Sequence, residues 1–183
     1  GGVVRNNIFV DNGNNGIDVG TSVPIIEGNW IEKSGDKAIS IGEEAKPKIN
    51  NNVFYLNNIG IAVKDAASPI ITNALFINNK TAFSMFIKKR KYTKPHATVN
   101  KGLFISNQNN VDLLDSTHVD FKYLHIDDER EVTFGLPIQK IYDIFYQVNL
   151  KARQENRLTI PKIKQVFKNR GNFRKNINAS SVH

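Results

Sequence analysis

Residues 51–63 read Asn-Asn-Val-Phe-Tyr-Leu-Asn-Asn-Ile-Gly-Ile-Ala-Val. The stretch contains two short apolar runs, at 53–55 and 61–63, and Asn and Gly lie between them. Alternation with a period of two indicates strands that bury one face. Asn and Gly tolerate the backbone conformations of tight corners. The stretch therefore predicts two short strands joined by a corner.

The same pattern recurs at steps of 22 or 23 residues, with a final step of 28. Three apolar columns persist through five segments: Phe9, Ile31, Phe54, Phe76 and Phe104; Ile17, Ile39, Ile61, Phe83 and Val111; Val19, Ile41, Val63, Met85 and Leu113. Strands this short bury a face only when copies stack into parallel sheets around a continuous core. A helical solenoid would need apolar spacings of three and four, and a leucine-rich repeat would need more leucines. The sequence therefore predicts an all-β fold, a parallel β-helix of about 22 residues per coil, over residues 1–118.

Asparagines form columns as well. One column holds Asn7, Asn29 and Asn52, and a second holds Asn12, Asn57, Asn79 and Asn107, with Ser34 in its gap. A stacked amide can bond to its equivalent one coil away, which satisfies buried polar groups. We predict a structural role for these asparagines rather than ligand binding.

These repeats resemble those of the pectin-lyase-like, right-handed β-helix proteins over residues 3–115. The phrases Gly-Ile-Ala-Val-Lys-Asp at 60–65 and Phe-Ile-Lys-Lys-Arg-Lys-Tyr at 86–92 are similar to a bacterial subgroup. In that subgroup, β-helix coils accompany surface or spore-coat-type domains. The resemblance implies a right-handed solenoid, an extracellular or cell-surface location on a bacterium, and a polysaccharide partner.

The resemblance also implies polysaccharide cleavage as a candidate activity. Pectin-lyase-like enzymes cleave polysaccharides with clustered charged residues on an exposed sheet face. Glycoside hydrolysis needs two carboxylates within about 5–10 Å of each other. The column predicted to face outward holds Asp18, Ser40, Ala62, Ser84 and Asp112. Its two acids are separated by four coils, roughly 19 Å at the spacing of paired strands. Polygalacturonase signatures and a lyase-type calcium cluster are absent from the sequence. We therefore expect no catalysis by these residues and no cofactor.

The longest departure from the repeat is the segment 86–96. Residues 88–94 of this segment hold five cations and one aromatic residue: Lys88, Lys89, Arg90, Lys91, Lys94 and Tyr92. Loops that project from a regular scaffold are the usual place for binding. Cations attract uronate, sulfate or phosphate groups, and a tyrosine ring can stack on a sugar. We predict that this loop binds a ligand, with a solvated loop that keeps the solenoid soluble as the alternative.

Two His-x-Asp pairs place side chains on one strand face, and they supply four candidate metal ligands: His118, Asp120, His125 and Asp127. Their spacing matches no strong metal signature, so ordinary surface residues are favoured. Beyond the coils, we expect a terminal strand and a helical cap over 119–171, with one helix from Pro137 and another at about 161–169. A disordered basic tail is expected at 172–183.

The net charge of +8 comes from the end of the chain. Residues 151–183 hold nine Lys and Arg and one acid, whereas the rest of the chain holds sixteen of each sign. No nucleic-acid motif accompanies this charge, so nucleic-acid binding is not favoured. There is no cysteine and no apolar run long enough to span a membrane. The chain enters its repeat at once, so we expect further coils before Gly1.

The sequence favours a non-catalytic β-helix module of a bacterial surface or secreted protein, which binds carbohydrate or serves as a rigid spacer. One alternative is part of a polysaccharide lyase, hydrolase or epimerase whose active site lies in preceding coils. The other is a polyanion or nucleic-acid binder that acts through the basic tail.

Overall fold

The computed structural model describes residues 1–127, and every regular element in that part of the chain is a β-strand. The strands are β1 Val3–Arg5, β2 Ile8–Val10, β3 Ile17–Gly20, β4 Ile25–Glu27, β5 Trp30–Glu32, β6 Lys37–Gly42, β7 Lys48–Asn50, β8 Val53–Tyr55, β9 Ile59–Lys64, β10 Ile70–Ile77, β11 Thr81–Phe86, β12 His96–Ile105, β13 Asn109–Leu113, β14 His118–Lys122 and β15 His125–Asp127. No helix in this range could cross a membrane. The predicted helices and the predicted tail at 172–183 lie outside the described residues.

All strand pairs in this part are parallel, and each strand pairs with its equivalent in the next coil. One sheet contains five strands in the order β13-β11-β9-β6-β3. The other contains ten, because the long strands β10 and β12 join two rows of shorter strands. The predicted parallel β-helix of about 22 residues per coil is therefore confirmed. Its pairing continues past residue 118, since β14 and β15 both pair with β12.

Most members of the predicted apolar columns lie in or against the core, whereas Leu113, in the last coil, is 40% exposed. A further buried column holds Ile26, Ile49, Ile71 and Val99. Ile31, Phe54, Phe76 and Phe104 follow one another in register and are fully buried. The rings of Phe54 and Phe76 have centroids 4.9 Å apart, and those of Phe76 and Phe104 are 4.6 Å apart. Burying one such side chain contributes about 1.5–3 kcal/mol. Stacking equivalent residues therefore provides a continuous apolar interior for strands that are individually too short to fold.

Residues with positive φ lie at the corners of the coils, which fall between the short strands and, at Asn73 and Lys101, inside the long strands β10 and β12. One corner column holds Asn6, Gly28, Asn51, Asn73, Lys101 and Tyr123. Asn is well suited to this conformation, whereas Lys and Tyr are not. The backbone bonds between coils nevertheless continue through the corner, as from the N–H of Asn51 to the carbonyl of Thr72 at 3.0 Å. Stacking on neighbouring coils thus holds even unfavourable residues in the corner conformation.

Two asparagine ladders run between coils. The backbone N–H of Asn29 donates to Oδ1 of Asn52 at 2.9 Å, and Asn7 bonds in the same way to Asn29. The second ladder joins Asn57, Asn79 and Asn107, again at 2.9 Å for each backbone bond. Each of these bonds crosses from one coil to the next, so the side chains brace the corners.

The second ladder stops before Asn12. Ser34 donates its backbone N–H to Oδ1 of Asn57 at 2.9 Å, but its own side chain carries no amide. Nδ2 of Asn12 and Oγ of Ser34 are buried and have no hydrogen-bond partner among the described residues. The predicted column is therefore interrupted, because the serine side chain is too short to reach the coil before it.

Extending this ladder should stabilise the protein. In Ser34→Asn, the new side-chain carbonyl should accept a hydrogen bond from Asn12. The free energy of unfolding should therefore rise by about 1 kcal/mol. Asn57→Ala should cost about 1–3 kcal/mol, because it leaves buried donors unpaired. Urea unfolding measures both effects, as shifts of the midpoint at constant slope. A lower midpoint for Ser34→Asn would show that position 34 has no room for an amide.

Candidate functional site

A pocket of about 340 Å³ lies where β3, β6 and β9 end and the loop after β11 passes beside them. Its lining consists of Asp18, Val19, Gly20, Gly42, Glu43, Lys64, Asp65, Lys88 and Lys89. Three of these residues are lysines and three carry carboxylates. This pocket therefore brings together charged groups that lie far apart in the sequence.

The pocket exists because two successive coils place glycine at the same position. Gly20 pairs with Gly42, and the next residue in that column is Lys64. A Cβ built on Gly42 would find no atom nearer than Cε of Lys64, at 3.5 Å. The missing side chains leave space at the strand ends, and the long side chain of Lys64 reaches over it.

Lys64 lies on the outward side of β9 and is 9% exposed. Its Nζ donates to Oγ of Ser40, one coil earlier, at 2.8 Å. Burial lowers the pKa of this ammonium group from its ordinary value of 10.5, and the charges of Lys88 and Lys37 lower the pKa further. The carboxylates of Asp18 and Asp65 act in the opposite direction. The amine is thus held in a partly dehydrated position between groups of both signs.

The loop formed by the segment 86–96, called the basic loop below, is hydrogen-bonded to the neighbouring coils. Asp65 is buried and has a positive φ of 52°, and its Oδ1 accepts the backbone N–H groups of Lys88 and Lys89 at 2.8 Å each. Lys89 also forms an ion pair with Glu43, which lowers the pKa of that carboxyl and raises the pKa of the lysine. The loop is therefore docked on the solenoid at its first residues.

The six residues predicted for ligand binding separate into two groups. Lys88 and Lys89 line the pocket, whereas Arg90, Lys91, Tyr92 and Lys94 are not among its lining residues. Nζ of Lys91 lies 4.9 Å from the centroid of the Tyr92 ring, so a lysine of the loop itself occupies one face of that ring. The sequence reasoning missed Lys64 and Asp65, although both close the quoted phrase at 60–65.

The column predicted to face outward is more covered than expected. Its members pair in register as predicted, but Ser40 and Ala62 are 0% exposed and Ser84 is 3% exposed. Part of this cover comes from Lys64, whose amine lies against Ser40. Asp18 and Asp112 lie on the two edge strands of the five-stranded sheet, β3 and β13. The residues in the middle of this sheet face are therefore buried and do not form a solvent-exposed binding surface.

One of the candidate metal ligands, Asp120, also contacts a histidine that the sequence reasoning missed, His96. His118 and Asp120 lie on β14, with Nε2 of His118 2.9 Å from Oδ1 of Asp120. Nε2 of His96, on β12, lies 3.3 Å from Oδ2 of the same carboxylate. His125 and Asp127 belong to the next strand, β15. Among the side chains that the structure describes, no group of three or more His, Cys, Asp or Glu residues is arranged to hold a metal ion.

A family model described as "Right handed beta helix region" matches residues 1–128. The chain belongs to this family. The match covers all the coils that the structure describes, so the solenoid is a right-handed parallel β-helix. Comparison with curated proteins and with solved structures finds no match.

Removing the Asp65 carboxylate should release the loop. In Asp65→Ala, the N–H groups of Lys88 and Lys89 lose their acceptor, and we expect faster hydrogen–deuterium exchange at those two amides. Asp115→Ala is the matched control, because Asp115 accepts the N–H of Ile87, the residue just before them, at 2.9 Å. Unchanged exchange at residues 88 and 89 in Asp65→Ala would contradict a loop held by this carboxylate.

Proposed function

We propose that this chain is a non-catalytic β-helix module of a bacterial surface or secreted protein, and that it binds an acidic carbohydrate in the pocket beside Lys64. The observation that carries the proposal is a pair of ammonium groups, those of Lys64 and Lys88. Both line one pocket, and neither forms an ion pair with any side chain that the structure describes. A bound anion would lie between them.

The other charges of the pocket already have partners. Lys89 and Glu43 form an ion pair. Asp65 accepts two backbone N–H groups, and Asp18 accepts a bond from Nδ2 of Asn15 at 3.1 Å. Ion pairs that are satisfied within the protein attract a ligand only weakly. The selective attraction should therefore come from Lys64 and Lys88, and it should favour a carboxylate or sulfate.

The surroundings suit a sugar that carries such a group. Asp18 is exposed and can accept further bonds from hydroxyl groups, while Lys88 and Lys64 donate. Sugar rings present donors and acceptors at short intervals, and a pocket with both kinds of partner fits that pattern. The volume of about 340 Å³ falls in the usual range for ligand pockets, about 300–1,000 Å³.

The location outside the cell and the absence of catalysis are parts of the same proposal. The location is supported by the resemblance to bacterial surface repeats, and the absence of catalysis by the separation of Asp18 from Asp112 on opposite edge strands of their sheet. Further coils before Gly1 would extend the same solenoid. If the pocket binds no glycan, a rigid spacer becomes the better description.

A glycan array with matched variants tests the binding site. We expect binding of uronate-containing or sulfated glycans, and a loss of about ten-fold or more in Lys64→Met and in Lys88→Ala, as expected for a hydrogen bond to a charged group. Gly42→Val should also weaken binding, because it fills the floor of the pocket without changing a charge. Lys94→Ala removes a loop cation outside the pocket and should bind like the unaltered protein.

Three results would count against the proposal. Equal losses in Lys94→Ala and Lys88→Ala would indicate general attraction to a basic surface. Unaltered binding by Gly42→Val and Lys64→Met would place the ligand elsewhere. Shortened products from any bound glycan, detected by mass spectrometry, would show that the chain is an enzyme.

Binding should also depend on pH in a particular direction. The pKa of Lys64 lies below its ordinary value of 10.5. As the pH rises, this amine therefore loses its positive charge at a lower pH than an ordinary lysine does. Affinity for an acidic glycan should fall as the pH rises, and the fall should begin below the range of an ordinary lysine. Lys64→Arg should remove this fall, because a guanidinium stays protonated. Isothermal titration between pH 6 and 10 compares the two proteins.

A further inference from the structure

We propose a second activity for the same pocket: the Lys64 amine captures a small hydroxyaldehyde as an imine. This inference shares the pocket with the proposed function, but it does not require the pocket to bind a polysaccharide. It concerns one atom, Nζ of Lys64, and the groups that surround it.

The position of this amine sets it apart from the other lysines of the pocket. Lys64 ends a core strand, is 9% exposed, and is fixed by its 2.8 Å bond to the Ser40 hydroxyl. Lys88 and Lys89 are exposed, and Lys89 is held as an ammonium by Glu43. Lys64 therefore combines a fixed orientation with an opening wide enough for a small molecule.

The electrostatic environment favours the reactive form of the amine. A lysine attacks a carbonyl only through its neutral form, and desolvation increases the neutral fraction. Burial is the largest cause of the lowered pKa of Lys64, and the nearby charge of Lys88 adds to it. Asp18 opposes the shift, so this carboxylate restrains the reactivity.

The reaction is a balanced condensation. The Nζ lone pair of the neutral amine forms a bond to the aldehyde carbon, and the carbonyl π pair moves to oxygen. A proton passes from the nitrogen to that oxygen, relayed by water or by the Ser40 hydroxyl, which gives a carbinolamine. The hydroxyl group then leaves together with the remaining N–H proton as water, and the nitrogen lone pair forms the C=N bond. Amine and aldehyde thus yield imine and water, with no oxidant or reductant.

A hydroxyaldehyde is the class of substrate that suits the neighbouring groups. Its carbonyl carbon would lie against Lys64, and its hydroxyl groups would meet the Asp18 carboxylate and the Lys88 ammonium. An open-chain reducing sugar and a two- or three-carbon hydroxyaldehyde share this chemistry. The volume of about 340 Å³ admits either at the end of the strands.

Reductive trapping tests the proposal on the full chain. The protein is treated with glycolaldehyde and sodium cyanoborohydride at less than one label per molecule, and the label at each lysine is measured by peptide mass spectrometry. We expect Lys64 to be labelled several-fold faster than Lys88 and Lys89. Asp18→Asn should raise the rate at Lys64, because it removes the carboxylate that favours the charged amine. Lys46→Arg alters an exposed lysine outside the pocket and should leave that rate unchanged.

Labelling at Lys64 that is no faster than at Lys88 would overturn the proposal, and so would a lower rate in Asp18→Asn. Glycan affinity, measured by isothermal titration on the same unaltered protein, separates this activity from glycan binding. Glycan binding without fast labelling would refute the imine alone, and fast labelling without glycan binding would refute the proposed function alone.

Discussion

The structure depends on parallel hydrogen bonding between equivalent residues of successive coils. Each strand is only three to ten residues long, and none could exist without the strands above and below it. This pairing places like residues on like residues, so one side-chain type repeated down a column becomes a continuous structure. The stacked phenylalanines and the asparagine ladders both follow from that single constraint.

The constraint explains why so much of the fold could be predicted from the sequence. Columns found by a step of 22 or 23 residues correspond directly to neighbours in space, as Ile31, Phe54 and Phe76 show. The final step of 28 residues predicts an inserted loop, and the insertion lies between β11 and β12. Corners were harder to assign, because residues such as Lys101 adopt a positive φ that their own preferences disfavour.

Only part of the candidate site could be predicted, because the repeat shows neither how far a long side chain reaches nor where the inserted loop lies. The sequence marks Lys88 and Lys89 as a basic cluster, but no periodicity shows that Asp65 accepts their backbone N–H groups. The bond from Lys64 to Ser40 spans a coil and depends on how far one lysine bends back over its sheet. The same bend covers a column that alternation alone places at the surface. His96 was missed because its partner, Asp120, belongs to the following coil.

The inserted segment between β11 and β12 has a consequence for how such a chain can diversify. β12 resumes the register of β10 after the longer connection, with Phe104 directly on Phe76. An extension of the perimeter is therefore absorbed at one corner without moving any strand. Corners of this solenoid can accept new segments of different length and chemistry one at a time, while the interior stays the same. New surface chemistry can thus be added to the same interior without a new fold.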